Sequence, residues 1–510
     1  MPQFPNSSPK GHNGDNSPHK MPMTNRGTGR MQEDNNDPPA HDRMSGHDRL
    51  KMLQKHHRNT LWIYWSIIII GIWLVMAPLT FGYASGIAVP PGGRELWLTN
   101  TQRIVYTKWN DIICGILLII FGFRSLLPSR PISLWICCFI GVWLNIAPLL
   151  FWAPQPFIYL NDTLCGILLI ALSVLIPGMP NMILYMKMGS EVPQGWSYNP
   201  SSWPQRWIMI VTGFLGFIVS RYLAGWQLGY TSSIWEPFFK SSEQVLNSSM
   251  SRSLFISDAG LGALAYTFEF LMGFMGSPSR WRTMPWMVTF FGILVIPLGL
   301  VHIFLVISQP LVVGEWCTFC LLAACIMLPM IPLEVDEVVA MGQHIAQSTR
   351  KGEKFWSVFW KGGTPIEKNK DTRSPELIEL NKHGGKVFSS SLWGLSAPWT
   401  LLVSTVLGIG LMALPDQAGI PIKSGIADLN HLGGALVVVF SVISFGEVVR
   451  TFRLLNVIVG SVISIMPWII ENVQSWLQFT DLIAGSLIIV LSIPRGKIKE
   501  QYGSWNKFIF

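Results

Sequence analysis

The sequence predicts an all-α integral membrane protein of about twelve transmembrane helices, with a four-helix core set between two four-helix repeat units. Three observations carry this. Charged residues make up 13% of the chain and hydrophobic residues 50%, whereas soluble globular chains carry roughly 25% charged residues. Apolar runs of about 18–25 residues recur, each long enough to cross a ~30 Å hydrocarbon layer. Two blocks of those runs echo each other, and the block between them does not. The 23 Trp and 28 Phe suit aromatic belts at a lipid bilayer.

Residues 1–59 form a polar tail rich in Pro, Gly, Asn and Asp, with no apolar period, and are expected to be disordered. Six of the ten histidines lie there (His12, His19, His41, His47, His56, His57) at spacings that match no standard metal site. No cleavable leader is expected, because the first apolar run starts near Leu61. The runs follow at 61–82, 108–127, 132–153, 159–179, 206–230, 257–275, 284–308, 315–334, 392–414, 427–448, 452–470 and 476–494. Lys and Arg then set orientation. Nine lie in the tail, nine lie in 336–391, and Arg124, Arg130, Arg280, Arg282, Arg450 and Arg453 mark short loops on that same side. The short opposite loops hold only Lys423, while Arg94, Arg103, Lys240 and Arg252 in the two longer ones dilute the bias without reversing it. Both termini are therefore expected in the cytoplasm, in a membrane of the bacterial inner type. The net charge of +8 is spread over these loops and gives no nucleic-acid footprint. Seven cysteines are too few for a disulfide-rich exported domain.

The repeat is read directly. Gly71, Trp73, Ala77 and Pro78 recur as Gly141, Trp143, Ala147 and Pro148. Asn110, Asp111, Cys114 and Gly115 recur as Asn161, Asp162, Cys165 and Gly166. Ser396-Ala397-Pro398-Trp399, Met466-Pro467-Trp468, Asp428-Leu-Asn430, Thr480-Asp481, Gly433 and Gly485 echo these more weakly. The motifs resemble the SPW repeat, a family of paired membrane helices, over 60–180 and 392–495. The resemblance implies a fold and no chemistry. Each Asn-Asp pair is read as the start of its helix, with Asn capping free N–H groups and Asp at the positive end of the dipole. Cys114 and Cys165 read as small apolar fillers, as do Cys137, Cys138 and Cys325.

The chemistry lies in the middle block, 205–335. Cys317 and Cys320 form a Cys-x-x-Cys pair at the mouth of the uncharged run Leu321 to Leu333. Two thiols at that spacing close a disulfide or hold a metal. A zinc site needs about four ligands, and no second pair lies nearby, so no metal is expected. A redox pair, a structural disulfide or two free thiols remain. In the orientation above the pair lies at the outer face, where disulfide chemistry is permitted.

The order of elements around the pair adds to this. An outer loop carries Leu246, Asn247 and Ser249, a helix start carries Gly260 and Gly262, and Cys317–Cys320 opens the last helix of the block. This order resembles the vitamin K epoxide reductase family, whose members couple a quinone to thiol–disulfide exchange. The resemblance implies that Cys317 and Cys320 are catalytic, with a quinone as cofactor and an extracytoplasmic thiol–disulfide protein as partner. Cys317 is expected nearer the aqueous edge and Cys320 a turn deeper, facing the quinone, with Trp316, Phe319 and Ser249 beside it. The family's second cysteine pair, in the outer loop, is missing, because 231–256 contains no cysteine. That absence keeps open a second class of function, a non-enzymatic scaffold or transporter-like protein derived from the same fold.

Two charged residues stand within predicted spans of the core. Arg221 and Glu269 are expected to form a buried ion pair, since an arginine in hydrocarbon normally finds a partner. His302 is a candidate for proton delivery, or else a packed, hydrogen-bonded histidine. Residues 336–391 are read as a linker whose aromatic run, Phe355 to Trp360 between Lys354 and Lys361, lies on the membrane.

Overall fold

The apolar runs become helices that are nearly featureless in polarity and are stopped by local signals. Leu61–Phe81 (α1) contains no charge and ends at Gly82, whose φ of 57° only glycine adopts readily. Asn100–Ser125 (α2) opens with a capping box, Thr99 and Gln102 each taking the other's backbone N–H. Pro131–Leu150 (α3) and Pro156–Ile170 (α4) complete the first unit. Trp203–Gln227 (α5), Asp258–Phe274 (α6), Pro285–Val312 (α7) and Thr318–Arg350 (α8) form the core. Trp399–Gln417 (α9), Gly425–Ile443 (α10), Arg450–Trp468 (α11) and Ser475–Ser492 (α12) follow. Among the described residues eleven helices are long and apolar enough to cross a membrane, and α6 makes a twelfth if it and the bent segment before it form one span.

The computed structural model describes residues 46–84, 86–128, 131–176, 190–363, 370–375 and 380–509. The tail before residue 46 and Arg130 lie outside them. The helices belong to one compact unit, Leu53–Phe510. Among the described residues there is no strand beyond isolated bridges such as Trp196 to Tyr502.

The repeat has a physical basis in four helix pairs that cross glycine on glycine. In α1/α2 a Cβ on Gly71 would lie 2.8 Å from the Gly115 carbonyl, and one on Gly115 2.5 Å from that of Gly71. Gly141 and Gly166 do the same in α3/α4, Gly408 and Gly434 in α9/α10, and Gly460 and Gly485 in α11/α12. Small residues let backbones approach where lipid supplies no hydrophobic drive for helix association. At α10 the crossing glycine is Gly434, one residue beyond the Gly433 that the sequence echo suggests.

The Asn-Asp pairs do not start their helices. The caps are Thr99 and Gln155, and Asp111 and Asp162 sit inside α2 and α4, fully buried. Their carboxyls face each other. The Trp73 indole donates to Asn161 and the Trp143 indole to Asn110, each at 2.7 Å, so each helix pair braces the other's motif.

The linker expected from residue 336 is instead a continuation of α8. It stays helical to Arg350, and Asp336, Glu337, Ala340, Met341, His344 and Ser348 are buried. Arg280, in the short helix Arg280–Thr283 between α6 and α7, bonds Glu337 at 2.6 Å, and Tyr198 donates to Asp336. Arg206 at the start of α5 caps the far end of α6 through the carbonyls of Gly273, Met275 and Gly276 at 2.7–2.9 Å. This polar floor closes the core at the end opposite the cysteines. The aromatic run folds as the short helix Phe355–Lys361, with Phe355, Trp356 and Trp360 exposed.

Candidate functional site

Cys317 is the N-cap of α8. Its Sγ accepts the backbone N–H of Cys320 at 3.1 Å, and its own N–H donates to Gln309 Oε1 on α7 at 3.2 Å. A disulfide joins Cys317 and Cys320, with their α-carbons 5.2 Å apart. The sulfur at a helix start faces unsatisfied N–H groups and the positive end of the dipole, an environment that favours a thiolate when the bond is reduced.

The loop between α5 and α6 covers the pair. Leu223 and Trp226 of α5 and Val245 and Leu246 of the short helix Ser242–Leu246 pack with Cys317. Ser241 donates to the Trp316 carbonyl at 2.7 Å, and the Phe239 N–H donates to Thr318 at 3.3 Å. Glu236 holds the short helix by accepting the N–H of Ser242 at 2.8 Å and also its hydroxyl. Cys317 is 0% exposed, while Cys320 is half-buried. In this structure the loop seals Cys317, and Cys320 is the less buried sulfur.

Trp316 stacks on Phe239 at 5.8 Å, and Phe319 meets the Tyr222 ring edge-on at 5.3 Å. A third ring comes from α10. His431 abuts Trp316 at 4.8 Å, and its Nε2 lies 2.9 Å from the Ile307 carbonyl of α7. His431 escaped the sequence reading although it directly follows Asn430 of the repeat echo. Only the packing of α10 against α7 and α8 reveals it. Beside Trp316 lies an apolar cavity of about 80 Å³, walled by Ile303, Ile307, Leu321, Ala324 and Met412. Apolar walls and an indole face suit a flat apolar ring. A larger apolar cavity of about 680 Å³, between Trp135, Phe268 and Trp286, touches neither Cys317 nor Cys320.

Two expectations fail. Ser249 is exposed beyond the short helix, and it is Val245 and Leu246 that reach Cys317. Arg221 and Glu269 do not pair. Arg221 donates to Thr163 of α4 at 2.6 Å and lies over the Tyr159 ring at 4.6 Å. Glu269 is fully buried with neither oxygen hydrogen-bonded. The cause is register. Gly262 faces Ser220 and Gly213 faces Phe270, so Glu269 lies about two helical turns, roughly 10 Å, from the level of Arg221. His302 faces the Tyr266 ring at 6.1 Å. Among the described residues no cluster of three or more His, Cys, Asp or Glu is placed to hold a metal.

Residues 207–335 match the model of the Vitamin K epoxide reductase family, and residues 95–176 match that of the SPW repeat domain. At the level of the family, the core is that of a membrane thiol–disulfide oxidoreductase or quinone reductase. No curated protein and no solved structure gives a significant match to the chain.

Proposed function

We propose that the chain couples the Cys317–Cys320 disulfide to a membrane quinone, with the pair at the outer face of an inner-type membrane and the repeat units as its frame. The observation that carries this is the disulfide at the N-terminus of α8, with Cys317 sealed by a polypeptide loop and the residues next to the pair, Trp316 and Leu321, lining an apolar cavity. A bound quinone supplies a two-electron, two-proton acceptor. In the oxidising direction the two thiols lose their protons, the sulfurs join, and two electrons leave the pair. The helix start stabilises the attacking thiolate. Cys320 is the sulfur on the apolar side, with Trp316 and Phe319 framing it. Cys317 exchanges with a partner thiol protein when the segment Ser241–Leu246 lifts. With no cysteine in 231–256, that partner attacks directly, without an intermediate loop pair.

The test is reduction of a short-tailed benzoquinone by a soluble dithiol in the presence of the purified protein. Cys317→Ser and Cys320→Ser should each abolish it, and Cys114→Ser, in the first repeat unit, should not. Equal rates in all four proteins would remove the pair from the reaction and leave the scaffold reading.

A further inference from the structure

A column of buried ionisable side chains runs through the core toward the cysteines. It starts at the polar floor, where Glu337 on α8 takes Arg280 at 2.5 Å and also the Ser201 hydroxyl. One turn nearer the cysteines on α8 stands Glu334, 2% exposed, with Oε1 unbonded. Glu334 lies in the electrostatic field of Glu337, Arg280, Glu269 and Arg206. Glu269 on α6 follows, fully buried, with both oxygens unbonded. Tyr266, one turn further along α6, lies in the field of Glu269 and faces His302 of α7. Its hydroxyl donates to the Ala323 carbonyl at 2.9 Å, one turn of α8 below Cys320.

The backbone along this column is also opened. Pro329 and Pro332 withhold the N–H groups that would close on the carbonyls of Cys325 and Leu328, between Cys320 and Glu334. Across from them α7 passes through a π-helical turn, Leu294–Leu298, containing Pro297. Such turns are frequent at functional sites. A carboxyl with no partner in a membrane core is costly, and an apolar residue of similar size would cost less. The quinone–disulfide step described above gives Glu269 no part.

We propose that Glu334 and Glu269 carry protons between the polar floor and the quinone that exchanges electrons with Cys317–Cys320. This rests on the quinone reading. Rotation of a glutamate side chain carries a proton across a gap, so carboxyls within each other's field form a relay without direct contact. In the oxidising direction the two thiol protons leave to water beside the cysteines and the S–S bond forms. Two electrons pass to the quinone, and two protons reach it along the column from the opposite end. Each turnover then separates charge across the membrane.

The experiment uses the full chain, oriented in liposomes, with a short-tailed benzoquinone, a soluble dithiol and a pH dye on the floor side. Wild type should make that side alkaline as quinone is reduced. Glu269→Gln, an isosteric change at an unpaired carboxyl, should slow reduction on the order of 100-fold, and Glu269→Asp should restore much of it. Without quinone, chemical reduction of the disulfide should shift a carboxylic infrared band that Glu269→Gln lacks. If Glu269→Gln does not fold, Glu334→Gln and the sidedness of wild-type uptake decide. Uptake of both protons from the cysteine side, or wild-type rates in both Gln variants, would overturn the relay alone. A wild-type protein that reduces no quinone would overturn the underlying reading and the relay with it.

Discussion

The first and second repeat units share one backbone solution and differ at its polar centre. All four helix pairs cross at reciprocal glycines. Four residues before the second glycine of each pair stand Asp111, Asp162, Asn430 and Asp481. In the second unit Asn430 donates its side-chain amide to Asp481 at 3.3 Å. In the first, two carboxyls face each other, Tyr83 donates to Asp111, and the neighbouring asparagines donate to both. Burial and the nearby Asp111 and Asp162 push the Tyr83 hydroxyl up, so it remains a donor. A carboxyl–carboxyl contact needs a hydrogen between its oxygens, whereas an amide brings its own. The same crossing thus tolerates either chemistry, provided that the pair is complete.

The largest effect should come from breaking what the units share. Gly115→Leu drives a side chain into the Gly71 carbonyl and into Val75, and should cost about 3 kcal/mol or more, read as a lowered melting temperature in detergent. Next is the polar centre. Asp162→Leu removes the carboxyl that faces Asp111 and accepts the Asn161 amide, and should cost roughly 2 kcal/mol. Asp162→Asn, which gives the first unit the chemistry of the second, should change stability by less than about 1 kcal/mol. Equal losses in the two variants would mean that the amide does not substitute for the acid. A smaller effect is expected at the contact between the second unit and the core. His431→Ala removes the bond to Ile307 and the Trp316 contact, for about 1 kcal/mol. Of similar size is Arg373→Ala, which removes a two-bond pair with Glu500, 7% exposed; it should cost about 1 kcal/mol.

Much of the frame was legible because it is written in local patterns. The helix count follows from run length, the repeat from Gly71, Gly115, Gly141 and Gly166, and the site from Cys317 and Cys320. What failed depended on register and on distant partners. Arg221 and Glu269 share a region of the sequence map but not a depth, and Thr163, the partner of Arg221, lies in a different unit. Glu334, Asp336 and Glu337 look like the end of a span. Arg280 and Tyr198, far away in sequence, let the helix continue buried. The seal on Cys317 depends on how Val245 and Leu246 fold back, which no spacing encodes. The Asn-Asp pairs mimic caps by composition, while Thr99 and Gln155 hold the cap positions.

Redox chemistry at the core is tested most directly by thiol trapping. The purified protein is reduced, the reductant is removed, a short-tailed benzoquinone is added, and free thiols are alkylated and located by mass spectrometry. Cys317 and Cys320 should become protected together while Cys325, the exposed free cysteine, stays modified. A pair that remains as alkylatable with quinone as without it would contradict the quinone-linked function.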